Sequence, residues 1–452
     1  MEDLVHGKVP KICEGRSKDD SELYDQFDET RNVTYLENAV SPACTSHGAI
    51  ISGMRITDAA FVLHGPRNCA YLNEIAQRRL REEYRRRRTI QIPKGNQYST
   101  SLDAHTMFKS GLDNLYHTVK RAIDDGFDTV FIVPACPPEI AGEDMEAAAK
   151  KLREETGKDV VAISPDKQFL SSKFGATDGI HEALIRYMDT SLSTIKGTVN
   201  LLGRSFYEIS EDDNIIEKEK LLKDLGYRIH VMLVDVCTMD DIRRFPQAEF
   251  DIQAGIATAN ERLADQISET LGRPRALVLE NLNSMKVYEE WIDAIVMQPG
   301  CTADPDELKQ KYRKEIMDGL EESRRKLEGK KVVLYSRSHK NLKSEICNIQ
   351  MLGVKLQCIV YDPGAAIVHF ENFPNFGDIP FYEDGSICKL KEIIKDDPPD
   401  LILTNDSKVS QLGIPWCSYV LWEEGVHGII RWGERVADSL HLPINKGWVR
   451  RI

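Results

Sequence analysis

Short apolar runs, often rich in β-branched residues, alternate along this chain with longer stretches of helical period, and that alternation restricts the fold more than any other feature. Phe61-Val62-Leu63, Val130-Phe131-Ile132-Val133, Val332-Val333-Leu334-Tyr335 and Leu401-Ile402-Leu403 are apolar at consecutive positions rather than alternate ones. Strands of that kind are covered on both faces, which is the situation inside a parallel sheet with crossover helices on either side. Between them, Met107 to Gly126, Ala141 to Thr156, Ile216 to Leu225, Asn260 to Leu271 and Lys340 to Leu352 carry helical spacing. Asp304 is placed to cap a further helix, with Pro305 at its first position and Gly329 beyond its end. Repeated strand–helix units imply parallel sheets with right-handed crossovers. At 452 residues the chain is too long for a single core. The reading is an α/β protein of three Rossmann-like, doubly wound domains over residues 36–195, 196–300 and 301–424. A polar arm over 1–35 precedes them, and a closing segment, 425–452, is expected to pack back on the first domain.

Two cysteines fall where such a fold places ligand chemistry, at the carboxyl ends of strands, and a third lies in a loop ahead of them. The Phe61 run ends in His64-Gly65-Pro66 and delivers Cys69, and the Val130 run ends at Pro134 and delivers Cys136. Cys44 lies in a small-residue loop, Pro42-Ala43-Cys44-Thr45-Ser46, ahead of the first run. Thiolates are soft ligands suited to iron–sulfur clusters, but three are short of the usual four. On residue chemistry alone, two readings stand: a cluster completed from elsewhere, or three packed thiols. Cys347, Cys358, Cys388 and Cys417 lie in or beside apolar segments and read as packing residues. Glu139, Glu143 and Asp144 read as first-turn helix acids.

Composition excludes several classes. A net charge of -13 argues against a general nucleic-acid partner. No apolar run approaches the ~18 residues that span a bilayer, so no membrane is expected. The N-terminus has neither the basic start nor the apolar stretch of a secretory signal. A cytoplasmic protein is expected, where ten cysteines would not form a disulfide framework. The chain has no C-x-x-C, no G-x-x-x-x-G-K-[ST], no G-x-G-x-x-G, no G-x-S-x-G and no H-E-x-x-H. ATP hydrolysis by this chain and a nicotinamide cofactor are therefore not expected. The basic tract Gln77 to Arg88 reads as a solvated helix face, or as a docking surface for an anionic partner.

Cys44-Thr-Ser-His-Gly-Ala, His64-Gly-Pro-Arg-Asn-Cys69 and Cys136-Pro-Pro-Glu-Ile-Ala-Gly-Glu-Asp144 together resemble the three-cysteine signature of nitrogenase component 1 subunits. Leu225-Gly-Tyr-Arg-Ile-His-Val, Gly329-Lys-Lys-Val-Val-Leu-Tyr335 and Pro399-Asp-Leu-Ile-Leu-Thr404 extend the resemblance over about residues 35 to 440. It implies three Rossmann-like domains around a central cleft. It also implies an iron–sulfur cluster, 4Fe–4S or larger and P-cluster-like, held by Cys44, Cys69 and Cys136 at a seam with a homologous subunit or a second copy of the chain. Electrons would come from a separate ATP-dependent iron–sulfur reductase. A second iron–sulfur cofactor in the cleft would involve His427 of Val426-His427-Gly428, with Arg337 and Lys340 on an anion-binding rim and Cys237 in a neighbouring loop. The chain departs from the family at Asp251-Ile-Gln-Ala254-Gly255, which lacks a thiol. It departs again at Ser336-Arg337-Ser338-His339-Lys340, where glycines are replaced, and at Ala176, where a histidine would fall. The resemblance thus implies a nitrogenase-like reductase subunit. The alternatives are a beta-type subunit without a substrate site of its own, or a scaffold for iron–sulfur cofactor assembly. No catalytic residue is assigned.

Overall fold

The computed structural model describes residues 46, 49–50, 53–71, 73–75, 78, 95–163, 178–202, 211–233, 236–254, 258–298, 300–336, 342–362, 376–383, 385–419, 421 and 423–442. They form three sheets, each built from parallel pairs. In the first unit, β1 (Ala59–His64), β2 (Gln97–Ser99), β3 (Thr129–Pro134) and β4 (Asp159–Ala162) take the order β2-β1-β3-β4. In the second, β5 (Ile195–Leu202), β6 (Arg228–Leu233), β7 (Ala248–Ala254) and β8 (Leu277–Leu279) take the order β6-β5-β7-β8. In the third, β9 (Lys331–Ser336), β10 (Lys355–Tyr361), β11 (Phe381–Tyr382), β12 (Leu401–Thr404) and β13 (Trp416–Cys417) take the order β11-β10-β9-β12-β13. In each sheet the strand order reverses beside the first strand, which creates the crevice where open α/β sheets bind ligands.

The helices of the first unit are α1 (Ala104–Lys109), α2 (Leu112–Asp124), α3 (Cys136–Ile140), α4 (Met145–Thr156) and α5 (Asp178–Ile185). The second unit has α6 (Glu211–Asp224), α7 (Met239–Arg244), α8 (Thr258–Leu271) and α9 (Met285–Val296). The third has α10 (Pro305–Leu327), α11 (Leu342–Met351), α12 (Ile387–Ile393) and α13 (Gly425–Ser439). α10 begins as its sequence dictates: Asp304 Oδ1 accepts the Asp306 and Glu307 N–H groups at 2.9 and 3.2 Å. Such a cap contributes about 1 kcal/mol. Tyr312, Ile316, Leu320 and Leu327 then make one buried stripe. No helix among the described residues is long and apolar enough to cross a membrane.

The units share their cores. One cluster joins the first and second units through Ile56, Phe61, Phe131, Ile180, Val231 and Ile267. Another joins the second and third through Tyr288, Trp291, Tyr312, Leu334 and Trp432. Burying each large side chain fully contributes about 1.5–3 kcal/mol.

In the closing segment the described helix α13 packs on α10 and α6, and residues 443–452 lie outside the described residues. Small residues allow the approach: a Cβ on Gly319 would meet Ile430 at 2.1 Å, and one on Gly433 would meet Leu320 at 2.4 Å. A buried ion pair then fastens the helix start, with Lys218 Nζ 2.7 Å from Glu424 Oε2. Glu424 Oε2 also accepts the Leu282 N–H at 2.9 Å. Breaking a buried pair strands a charge, so Lys218→Met is expected to cost about 3–5 kcal/mol in urea denaturation. The double variant Lys218→Met/Glu424→Gln is expected to recover part of that loss.

Candidate functional site

The site is built on the register of β1 and β3. These strands pair from Ala59↔Thr129 to His64↔Pro134, so their carboxyl ends finish side by side at the switch point of the first sheet. Phe61 and Phe131, opposite each other in that register, stack at 5.1 Å between ring centroids. Past the strands the backbones stay together, with the Ala135 N–H donating to the His64 carbonyl at 2.8 Å. Gly65 is required there, because a Cβ on it would sit 2.4 Å from the Ala135 Cβ. β1 leads into a helical turn whose Cys69 N–H donates to the Pro66 carbonyl at 3.0 Å. β3 leads into α3, whose first residue is Cys136. Cys69 is half-buried and Cys136 exposed. Cys44 lies outside the described residues, but Ser46, two positions on, donates from Oγ to the Pro134 carbonyl at 2.6 Å. Among the described residues no three His, Cys, Asp or Glu side chains form a metal-holding group.

A buried polar network braces the two cysteine-bearing turns, and sequence reasoning missed it. His64 is fully buried, with Nε2 2.6 Å from Glu143 Oε2 and Nδ1 3.2 Å from Thr100 Oγ1. Glu143 Oε1 accepts the Gly111 N–H at 2.7 Å, and Thr100 Oγ1 accepts the Gly65 N–H at 3.0 Å. Burial pushes the His64 imidazole below its ordinary value, against the pull of Glu143. Burial would raise the Glu143 carboxyl, but hydrogen bonds from His64 and Gly111 outweigh it and hold it low. The pair is thus a neutral imidazole donating from Nε2 to a carboxylate, with Nδ1 accepting from the Thr100 hydroxyl. Glu143 is therefore not a first-turn helix acid. Asp144 caps α4 instead, accepting the Ala147 N–H at 2.9 Å.

The same network explains why the helix predicted over Met107 to Gly126 is broken. Ser110 takes φ 141° and ends α1, and α2 restarts after Gly111. A Cβ on Gly111 would lie 2.7 Å from the His64 ring. The break lets Gly111 reach both His64 and Glu143.

The remaining candidates separate. Cys237 is buried in the core shared by the first two units. Its backbone stitches that seam, its carbonyl accepting the Thr57 N–H at 2.9 Å. The side chain lies within that shared core. His427 is exposed in the first turn of α13. The turn is held by Glu217 and by the Tyr288 hydroxyl, each accepting the Val426 N–H at 3.1 Å. Gly428 is needed beside it, because a Cβ there would meet the Glu423 carbonyl oxygen at 1.9 Å. Arg337, Lys340 and Ala176 lie outside the described residues, as does the basic tract apart from the exposed Arg78, which pairs with Glu74 at 2.6 Å.

Three parallel sheets with strand–helix alternation define an α/β protein of Rossmann-like units, with Cys69 and Cys136 beyond adjacent strand ends of the first. The family model described as nitrogenase component 1 type oxidoreductase matches residues 44–440, and the chain belongs to that family. It is 22% identical to the nitrogenase iron-molybdenum cofactor biosynthesis protein NifE of Methanococcus maripaludis, over 89% of this chain and 84% of that protein. It is 23% identical to the nitrogenase molybdenum-iron protein alpha chain of Methanothermobacter marburgensis, over 88% of each. A shorter match, 24% identical over 30% of this chain and 28% of the relative, is to a light-independent protochlorophyllide reductase component of Gloeobacter violaceus. The solved nitrogenase Cp1 at pH 5 shares the fold at TM-score 0.62 and 17% identity, covering 90% of each chain.

The brace can be tested at two points. Gly65→Ala is expected to destabilise the protein by about 1–3 kcal/mol through overpacking against Ala135, read by urea denaturation. His64 and Glu143 both have depressed folded-state values, so the stability they provide is complete above their unfolded values. It is lost as pH falls, first through the ordinary imidazole value of 6.5 and then through the carboxylate range. Denaturation midpoints measured between pH 7.5 and pH 5 (roughly spanning that imidazole step) are expected to fall less steeply for His64→Gln than for the wild type.

Proposed function

We propose that this chain is the subunit of a nitrogenase-like reductase. In this reading it receives electrons from a separate ATP-dependent iron–sulfur reductase through a cluster held by Cys44, Cys69 and Cys136, and serves reduction of a substrate between its domains. The observation that carries the reading is the placement of Cys69 and Cys136 on neighbouring strand ends at one switch point. The donor set fits the group: these are soft thiols, one half-buried and one exposed at a surface. When bound, an iron–sulfur cluster supplies one-electron storage at a potential set by ligands, burial and hydrogen bonds.

The chain's own residues prepare that place. The Phe61–Phe131 stack sets the strand register, the Gly65–Ala135 contact sets the spacing of the turns, and the His64–Glu143 pair keeps both turns rigid. Exposed apolar side chains follow the two cysteines in sequence: Tyr71, 60% exposed, and Ile75, 37%, come after Cys69, and Ile140, 73%, after Cys136. Exposed groups of that kind support a subunit seam, where a homologous subunit or second copy would cover them and complete the ligand set. The absence of a phosphate-binding glycine loop supports delegation of ATP hydrolysis to another protein.

A second reading, a scaffold on which an iron–sulfur cofactor is assembled, is favoured by one feature of the middle sheet. β7 ends at Ala254, in the stretch where a cofactor thiol would be expected, and residues 251–258 contain no cysteine. His427 is then left as the cleft-side candidate. The two readings differ in turnover: a reductase subunit consumes substrate with its electron donor and ATP, whereas a scaffold releases its cofactor to an acceptor.

Strictly anaerobic isolation followed by iron and sulfide analysis and electron paramagnetic resonance tests the shared premise. The wild type is expected to carry iron and sulfide, and Cys69→Ala to lose most of both along with any subunit pairing that depends on the cluster. Unchanged iron in Cys69→Ala would remove that thiol from the ligand set.

A further inference from the structure

Two stacked phenols, each hydrogen-bonded to a carboxylate, fill the place where α6, α9, α10 and α13 meet. Tyr288 of α9 and Tyr312 of α10 are fully buried, with 4.7 Å between ring centroids and 30° between ring planes. The Tyr288 hydroxyl donates to Glu217 Oε2 at 3.0 Å, and the Tyr312 hydroxyl donates to Asp224 Oδ2 at 2.7 Å. Both carboxylates come from α6, where they stand about two turns apart. The two ends of the stack differ. At one, the Tyr288 hydroxyl accepts the Val426 N–H, one residue before His427. At the other, Asp224 pairs with the exposed Lys311 at 2.6 Å. The rings thus connect the first turn of α13 with an ion pair at the surface.

At rest both phenols keep their protons. Burial, and then the charge of Glu217, push the Tyr288 hydroxyl above its ordinary value, and burial, and then the hydrogen bond to Asp224, push up that of Tyr312. Burial would raise the Asp224 carboxyl, but hydrogen bonds from Lys311 and Tyr312 outweigh it and hold it low, so it stands ionised. A phenol becomes strongly acidic once it loses an electron, and a base within hydrogen-bond reach then takes the proton. Lys311 and Lys220 Nζ lie 5.4 and 5.7 Å from the Tyr312 ring centroid. Positive charge so close opposes a cationic ring, so electron and proton must leave together. Buried tyrosines ordinarily find a partner for the hydroxyl. Here both partners are carboxylates on one helix, and the rings between them are in contact.

We propose that Tyr288 and Tyr312 form a redox-active pair that carries single oxidising equivalents from the start of α13 to the surface at Asp224. The oxidant is an oxygen-centred radical, the class formed when dioxygen meets a strong reductant, and the final reductant is a thiolate in solution. The oxidant takes one electron from Tyr288, whose O–H bond breaks as its proton passes to Glu217 Oε2. An electron from Tyr312 then refills Tyr288, which recovers its proton from Glu217, while the Tyr312 proton passes to Asp224 Oδ2. The thiolate gives up the last electron and becomes a thiyl radical, and Asp224 returns the proton to Tyr312. The pair belongs to the seam of the second and third units and stands whether or not the thiols of the first hold a cluster.

The test uses the full chain, oxidised by a light flash with tris(bipyridine)ruthenium and persulfate, then frozen and read by electron paramagnetic resonance. The wild type is expected to give a tyrosyl signal with a slowly decaying part, because buried rings are shielded from solution. Tyr312→Phe is expected to lose that part, and Tyr288→Phe to keep it with a shorter lifetime, since the radical is no longer shared between two rings. Asp224→Asn removes the proton acceptor and is expected to lose the slow part too, which carries the test if Tyr312→Phe does not fold in urea denaturation. Tyr71→Phe removes an exposed ring and is expected to leave the slow part unchanged. A wild type without a slow part overturns the proposal. So does a slow part retained in folded Tyr312→Phe or in Asp224→Asn, or an unchanged lifetime in Tyr288→Phe.

Discussion

The hydrogen bond between His64 and Glu143 is the contact on which the candidate site depends. It links residues 79 positions apart in sequence, one at the end of β1 and one after α3, and so ties together the two segments that carry Cys69 and Cys136. A buried hydrogen bond to a charged group contributes about 1.5–3 kcal/mol, but its larger effect here is geometric. With Gly111 and Thr100 also engaged, each turn is fixed from several directions. Thiols that must meet a common inorganic core need that rigidity, because ligand placement is set by the supporting residues as much as by the ligands.

The large features of the fold were legible in the sequence because they depend on local chemistry. The helix from Pro305 to Leu327 has its cap, its proline and its apolar stripe in one continuous stretch, and the structure places it there. The β1 and β3 runs announce themselves by consecutive apolar residues and end at the expected Gly and Pro. Short strands such as Gln97–Ser99 could not be read, because three residues carry no period and their pairing is supplied by β1. The break at Ser110 and Gly111 was also hidden, since its cause is a histidine and a carboxylate brought in from elsewhere in the unit. The site was half legible for the same reason. The positions of Cys69 and Cys136 follow from strand ends, whereas the role of Glu143 follows from a partner that no local pattern names. The packing of α13 on α10 rests on Gly319 and Gly433, whose spacing gives no hint of which helix they admit.

The three units are not independent modules joined by linkers. The first and second share one apolar core, the second and third another, and buried or bridging polar groups sit at both seams. Cys237 belongs to the first seam as a backbone stitch and packed thiol, and the Lys218–Glu424 pair anchors the helix that carries His427 at the second. Changes near one seam are therefore expected to be felt at the strand ends that face it, which gives the middle unit a structural role in shaping any site between the domains.

The central claim is that sulfurs distant in sequence converge on one iron–sulfur core at the first switch point. The most direct measurement is a crystal structure of the anaerobically prepared protein with anomalous scattering recorded at the iron edge. The account predicts strong iron density in contact with the sulfurs of Cys44, Cys69 and Cys136, beneath a covering partner that buries Tyr71 and Ile140. Iron-replete crystals whose anomalous density lies away from these sulfurs, with each thiol packed separately, would contradict it.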